Sequence, residues 1–168
     1  IPTQTALAVP ELRIADVGTG SGAIAISLAK HLSGAKLYAI DLSPAALAVA
    51  AANCLRHGVV GQVTLLHGDL LSPLPGAVDI IIANLPYVAP EDLAGLRPEV
   101  AQYEPRLALL ADESGLALNR RLLAQAHRYL PPGGAVILEI APSQAPAIVT
   151  QAQSCFPRAT VIVGKDYA

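Results

Sequence analysis

Four consecutive residues, Asn84-Leu85-Pro86-Tyr87, combine groups that could hold a planar amide or an exocyclic amine. The lone pair of an amide or exocyclic amine nitrogen is delocalised. Such a nitrogen can therefore accept a transferred group only when its NH₂ is held in place and rotated. The side-chain oxygen of Asn84 and the main-chain carbonyl of Leu85 can accept its two N–H donors. Pro86 keeps Leu85 out of the helical region, and Tyr87 offers a flat wall. Transfer to such a nitrogen relies on positioning and electrostatics. The alternative interpretation of the four residues is an Asn-x-Pro turn that ends a strand.

A glycine-rich segment, Asp-Val-Gly-Thr-Gly-Ser-Gly, covers residues 16–22 between a predicted strand and a predicted helix. Glycines allow a tight turn and close approach of a ligand, and a helix N-terminus offers free N–H groups. The candidate cofactor-binding residues in this segment are Asp16, Gly18, Thr19, Gly20, Ser21 and Gly22. Together with Ala23, two of these glycines also fit the G-x-G-x-x-A dinucleotide fingerprint, so a nicotinamide cofactor stays open at this point.

Two further carboxylates lie where predicted strands end. Asp41 could accept hydrogen bonds from both hydroxyls of a ribose, although a helix-capping role is the alternative and Ser43 is the better cap. Asp69 could face an adenine amino group while Leu70 packs on the ring, the alternative being a turn-forming aspartate. These positions predict a nucleoside-containing cofactor at the carboxyl edge of a sheet.

The elements that would position these residues follow an alternating pattern of short apolar runs and longer helical runs. The predicted strands cover residues 12–18, 37–41, 63–69, 78–83, 135–140 and 159–163. The predicted helices cover residues 21–32, 44–57 with Ser43 as N-cap, 116–130 and 143–156. Strands this apolar are expected when helices cover both faces. The pattern therefore predicts an α/β fold with a mostly parallel, doubly wound sheet, and the long segment from Pro86 to Pro105 reads as a functional loop or lid.

Length and composition bound the classes of protein that need considering. The chain has 168 residues, 53% of them hydrophobic and 14% charged, with a formal net charge of −2. This balance predicts one folded domain and argues against a disordered chain or a general nucleic-acid binder. No apolar run is long enough for a membrane span and no signal peptide is recognisable, so we expect a cytoplasmic protein. Cys54, Cys155 and the four histidines lack metal-ligand spacing, so no metal is expected.

Taken together, these motifs resemble the class I S-adenosylmethionine-dependent methyltransferases, and more narrowly the release-factor glutamine methyltransferases, often called the HemK or PrmC family. The resemblance runs from about Arg13 to the end of the chain. Beyond the glycine loop, Asp41 and the Asn-x-Pro-Tyr motif, the matching segments are Tyr103-Glu104-Pro105, Ala108-Leu109, Gly115-Leu116, Arg120-Arg121-Leu122-Leu123, Leu130-Pro131-Pro132-Gly133-Gly134, Leu138-Glu139-Ile140 and Gln144.

The resemblance implies a Rossmann-like methyltransferase domain over residues 1–168 that uses S-adenosyl-L-methionine. It implies methylation of the glutamine side chain in the Gly-Gly-Gln motif of peptide chain release factors. Residues 18–22 and Asp41 would hold the cofactor, with Leu70 at the adenine. Asn84 would touch both cofactor and substrate, and residues 85–87 would frame the glutamine amide. The family's helical amino-terminal domain and the last strand of the sheet are expected to be absent.

Two alternative functions remain open from the sequence. The family usually has Asn-Pro-Pro-Tyr, whereas Leu85 occupies the second position here, and Asn-Leu-Pro-Tyr also resembles the ribosomal RNA adenine dimethyltransferases. The first alternative is therefore an N-methyltransferase acting on an exocyclic amine of adenine or cytosine in RNA or DNA. The second is a non-catalytic cofactor-binding fragment.

Overall fold

The computed structural model describes residues 11–86 and 115–165. The strands are β1 (Arg13–Val17), β2 (Lys36–Asp41), β3 (Val63–His67), β4 (Ile80–Ala83) and β5 (Ala135–Leu138). The helices are α1 (Ala23–His31), α2 (Pro44–His57), α3 (Ala117–Ala126) and α4 (Ala145–Cys155), with a short 3₁₀ helix at Pro142–Gln144. Tyr87 and the Tyr103-Glu104-Pro105 segment lie outside the described residues.

The five strands form one parallel sheet in the order β3-β2-β1-β4-β5. The chain moves outward from β1 in one direction to β2 and β3, and then returns to the other side of β1 to add β4 and β5. The strand order therefore reverses between β1 and β4, which is where open α/β sheets bind their ligands. The predicted α/β, doubly wound parallel fold is confirmed.

Helices cover both faces because alternate strand residues point to opposite sides of the sheet. On one face, Ile14 and Leu37 pack with buried residues of α1 and α2. On the other face, Ile40 and Ile81 pack with Leu122 of α3. α4 adds a smaller cluster against α3. The sheet is thus the middle layer of a three-layer α/β/α arrangement.

The helix boundaries follow local sequence rules. α2 begins after Ser43, whose hydroxyl accepts the Ala46 N–H at 3.3 Å, and it ends at Gly58, which has φ +71°. α3 ends at Ala126, four residues before its predicted end, because the chain turns there and the Tyr129 carbonyl accepts the Val78 N–H at 2.9 Å. No helix within the described ranges is long and apolar enough to span a membrane.

The predicted sixth strand at Ala159–Val163 is wrong. Residues 159–165 have no regular structure, and β5 is the last strand of the sheet formed by the described residues. The β-branched residues there favour an extended chain, but a strand also needs a ladder partner, and no described segment pairs with this one. Ile162 and Val163 are accordingly exposed.

Candidate functional site

The switch point of the sheet gathers three of the predicted groups. Val17 of β1 lies in register between Ile40 of β2 and Ala83 of β4, so the residues that follow Val17, Ile40 and Ala83 emerge side by side. They are the glycine loop, Asp41 and Asn84. The Gly18 and Thr19 N–H groups both donate to the Ile40 carbonyl at 2.9 Å, which anchors the loop to the end of β2.

The glycine loop has the backbone that its sequence predicts. Gly18, Gly20 and Gly22 have φ values of +73°, +55° and +82°, a region that residues with side chains avoid. A Cβ atom on Gly18 would lie 2.9 Å from the Cδ2 of Leu85, so the glycine also permits close packing against the segment after β4. A Cβ atom on Gly20 would meet no atom of the described residues within 4 Å, so these residues leave open space beside the loop.

Asp16 is a buried carboxylate with one unused oxygen. Its Oδ2 accepts the Thr19 hydroxyl at 2.6 Å and the Ala25 N–H at 3.1 Å. Its Oδ1 has no hydrogen-bond partner within residues 11–86 and 115–165. Burial raises the pKa of this carboxyl, the two hydrogen bonds lower the pKa in part, and the nearby charge of Asp41 raises it again. An orphaned carboxylate oxygen of this kind fits a cationic or N–H donor from a ligand.

Asp41 joins two segments of the edge. Its Oδ2 accepts the Gly20 N–H at 2.9 Å, and its Oδ1 accepts the Ser43 N–H at 2.8 Å. Each carboxylate oxygen has a second lone pair, so both can still accept a hydroxyl hydrogen. Because the Ser43 hydroxyl caps α2, the helix-capping alternative for the Asp41 side chain is not needed.

Leu42, which sequence reasoning missed, stands beside Asp41 at this edge. Its side chain is 68% exposed although it is large and apolar. Its carbonyl lies 3.1 Å from the His67 Nε2, which links the turn after β2 to β3. The sequence could have indicated Leu42, because it is an apolar residue between a strand-ending aspartate and a helix cap. Its exposed apolar side chain suits contact with a flat apolar ligand.

Asp69 and Leu70 follow β3, one strand further from the switch point. Asp69 forms an ion pair with Arg121 of α3, and both side chains are about half exposed. Leu70 has φ +49° and is only 6% exposed, packing in the cluster between the sheet and α3. The main contacts of Leu70 are therefore with the protein core. The sequence did not predict the Asp69–Arg121 pair because 52 residues separate the two side chains.

The segment after β4 presents a polar side chain next to the glycine loop. Asn84 is exposed, and its Nδ2 donates to the Oε2 of Glu139 at 3.0 Å. Leu85 is 5% exposed against Gly18, and Pro86 is half-buried. The structure thus brings the Leu85 side chain and the Asn84 carbonyl to Gly18 of the glycine loop, and Pro86 follows them directly.

A family model described as "Methyltransferase domain" matches residues 14–103, which include the glycine loop, Asp41 and Asn84. The chain belongs to this family. The match covers the strands on both sides of the switch point, so the methyltransferase fold inferred from the motifs and the sheet order is confirmed. The match therefore favours a methyltransferase over a nicotinamide-dependent enzyme as the source of the glycine pattern.

Relatives within the family support the narrower resemblance. A release factor glutamine methyltransferase of Moorella thermoacetica is 47% identical over 92% of this chain and 55% of its own length. A ribosomal protein uL3 glutamine methyltransferase of Bradyrhizobium diazoefficiens is 45% identical over 76% of this chain and 40% of its own length. Release factor glutamine methyltransferases from other bacteria share 37–45% identity, which confirms the resemblance. The chain spans about half the length of the curated relatives that it matches.

A solved structure shows the same fold. The ribosomal protein L11 methylase of Lactobacillus delbrueckii subsp. bulgaricus superimposes with a TM-score of 0.62 at 26% identity, covering 89% of this chain and 62% of that one.

Proposed function

We propose that this chain transfers a methyl group from S-adenosyl-L-methionine to the side-chain nitrogen of the glutamine in the Gly-Gly-Gln motif of peptide chain release factors. The observation that carries the proposal is the placement of Asn84. It is exposed at the switch point, with its amide nitrogen engaged by Glu139 and its amide oxygen left to accept from a substrate NH₂. The names of the relatives support glutamine as the acceptor.

The residues around the glycine loop fit S-adenosyl-L-methionine. When bound, this cofactor supplies an electrophilic methyl group on a positively charged sulfur. The orphaned Oδ1 of Asp16 offers an acceptor for a charged amino group, and the open side of Gly20 leaves room for the ligand. Asp41 would accept the ribose hydroxyls, and Leu42 would contact the base from an exposed position. Asp69 would face the adenine amino group beside Leu70.

The acceptor side of the site works by orientation. Asn84 Oδ1 and the Leu85 carbonyl would each accept one N–H of the glutamine amide, which turns the nitrogen lone pair toward the methyl group. Both oxygens also stabilise the positive charge that develops on this nitrogen as the N–C bond forms and the S–C bond breaks. Pro86 and Tyr87 would frame the planar amide, and the displaced proton passes to water.

Ribosomal protein uL3 is the second candidate substrate. The relative from Bradyrhizobium diazoefficiens that is named for this activity is as similar to the chain as several of the release factor enzymes are. The acceptor is again a glutamine amide, so the same Asn84 geometry serves both substrates. A glutamine substrate in either protein agrees with the formal net charge of −2, which does not favour a nucleic-acid substrate.

A methyl-transfer assay with radiolabelled S-adenosyl-L-methionine tests the proposal. The chain is incubated separately with release factor, release factor whose Gly-Gly-Gln glutamine is replaced by alanine, uL3 and ribosomal RNA. We expect label on the release factor and none on the alanine variant. Label on uL3 alone selects the second candidate, whereas label on the RNA overturns glutamine methylation. Cofactor binding without transfer to any substrate indicates a non-catalytic fragment.

The remaining predictions from the sequence belong to this proposal as well. The single domain predicted over residues 1–168 is supported by the one sheet to which all five described strands belong. A release factor substrate implies that the protein acts in the cytoplasm.

A further inference from the structure

We propose that Glu139 is a positioning residue that determines which end of the Asn84 amide faces the acceptor. This inference rests on the proposed function because it concerns the same acceptor site. It assigns a role in that site to a residue of a different strand, 55 positions further along the chain.

The backbone places the two residues side by side. Asn84 follows β4 and Glu139 follows β5, and these strands pair with Ala83 opposite Leu138. The Glu139 N–H donates to the Ala83 carbonyl at 3.0 Å, so the ladder continues to the point where both side chains leave the sheet. The ladder therefore limits the movement of one backbone relative to the other. This pairing holds the two side chains close enough for the 3.0 Å contact between Asn84 Nδ2 and Glu139 Oε2.

The chemistry of the pair selects one orientation of the amide. A half-turn of the Asn84 amide would exchange its NH₂ and its oxygen with little change in shape. An ionised carboxylate can only accept hydrogen bonds, so Glu139 holds the NH₂ and rejects the oxygen. The described residues include no second hydrogen-bond partner for the Asn84 side chain, so the contact with Glu139 sets its orientation.

The acceptor requires this orientation. The NH₂ of a glutamine side chain presents two donors, so it needs an oxygen from Asn84, and an NH₂ from Asn84 would oppose donor to donor. A hydrogen bond to a charged group also polarises the amide, which makes the Asn84 oxygen a better acceptor. A purely structural role for Glu139 predicts a different result, since a contact between exposed side chains adds little stability and would leave the rate of transfer unchanged.

Substitution of Glu139 tests the proposal by kinetics. We expect Glu139→Ala to lower kcat about ten- to a hundredfold, the range for loss of a hydrogen bond to a charged group. The dissociation constant for S-adenosyl-L-methionine and the melting temperature should stay close to those of the original chain. Glu139→Gln keeps an acceptor oxygen but adds an NH₂ that can donate to the Asn84 oxygen, so it should restore kcat only in part. Glu11→Ala, which removes an exposed carboxylate before β1, is the matched control and should have no effect.

Two kinetic outcomes contradict the proposal. An unchanged kcat in Glu139→Ala shows that Asn84 is oriented without Glu139. An equal loss of kcat in the Ala and Gln variants shows that the acceptor oxygen at position 139 does not orient Asn84.

A spectroscopic measurement separates this proposal from the proposed function. The side-chain NH₂ of Asn84 gives a pair of proton–nitrogen resonances, which Asn84→Ala assigns by their disappearance. We expect Glu139→Ala to shift this pair and Glu139→Gln to shift it less, with or without substrate. If no substrate is methylated but the shifts occur, the proposed function fails and the pairing stands. If the Asn84 resonances are the same in Glu139→Ala and the original chain, the positioning role fails.

Discussion

Asn84 is the side chain on which acceptor binding depends, and its truncation gives the most direct prediction. Asn84→Ala should lower kcat at least about a hundredfold, the effect of removing one preorganised group that stabilises developing charge. The melting temperature should change little because the side chain is exposed. Gln153→Ala, which removes an exposed amide from α4, is the control for both measurements. Unchanged turnover in Asn84→Ala would refute the assigned role.

Asp16 predicts a pH dependence of stability in the absence of cofactor. Burial raises the pKa of its carboxyl above the ordinary value of 3.8, so the folded chain binds this proton more tightly than the unfolded chain does. The stabilising contribution is therefore full below 3.8 and is lost as the pH rises through the folded-state pKa. Asp16→Asn cannot titrate and should lack this decline.

Urea unfolding of both proteins from about pH 4 to pH 8 measures the effect, because subtracting the two curves removes the carboxyls that they share. The free energy of unfolding of the original chain should fall relative to that of Asp16→Asn as the pH rises. A difference that is constant with pH would mean that burial does not perturb this carboxyl. Asp16→Asn should also bind the cofactor more weakly, because it removes the charge of the orphaned oxygen.

At the scale of whole elements, Asp41 connects the β1–α1 loop to the start of α2 through its bonds to Gly20 and Ser43. Asp41→Ala should weaken cofactor binding at least about tenfold, because it removes the ribose acceptors and also releases the loop. Asp41→Asn keeps one acceptor oxygen, so its affinity for the cofactor should lie between those of the original chain and Asp41→Ala. Titration calorimetry measures the affinity, and hydrogen exchange at the Gly20 amide reports the loop. An unaltered dissociation constant in Asp41→Ala would count against the ribose assignment.

For the whole molecule, the two faces of the sheet predict one cooperative unit. Leu37 and Ile81 are fully buried in different clusters on opposite faces. Leu37→Ala and Ile81→Ala should each lower the free energy of unfolding by about 2–5 kcal/mol and shift the same transition. Leu55→Ala, at a side chain that is 74% exposed, should have almost no effect. Two separate transitions, each sensitive to one substitution, would contradict a single domain.

Much of the fold could be predicted because its determinants are local. Each of the five strands is a short apolar run, and Ser43 with Pro44 marks the start of α2 through hydrogen bonds within one turn. The glycine loop could be predicted for the same reason, since its positive φ values occur at glycines, which adopt them without steric cost. The sixth strand failed for the opposite reason. Its β-branched residues are a local signal, but the strand depends on a partner that no described segment supplies.

The amino-acid sequence by itself determined the βα alternation, the glycine loop and the types of side chain at the strand ends, because these depend on neighbouring residues. Only the tertiary structure decided which of these ends share an edge and what holds each side chain there. The Asp69–Arg121 and Asn84–Glu139 pairs join residues 52 and 55 positions apart, on different elements. No spacing rule reaches that far. The Asn84–Glu139 contact exists only once parallel strands have paired and brought their carboxyl ends together, and the Asp69–Arg121 pair only once α3 has packed on the sheet.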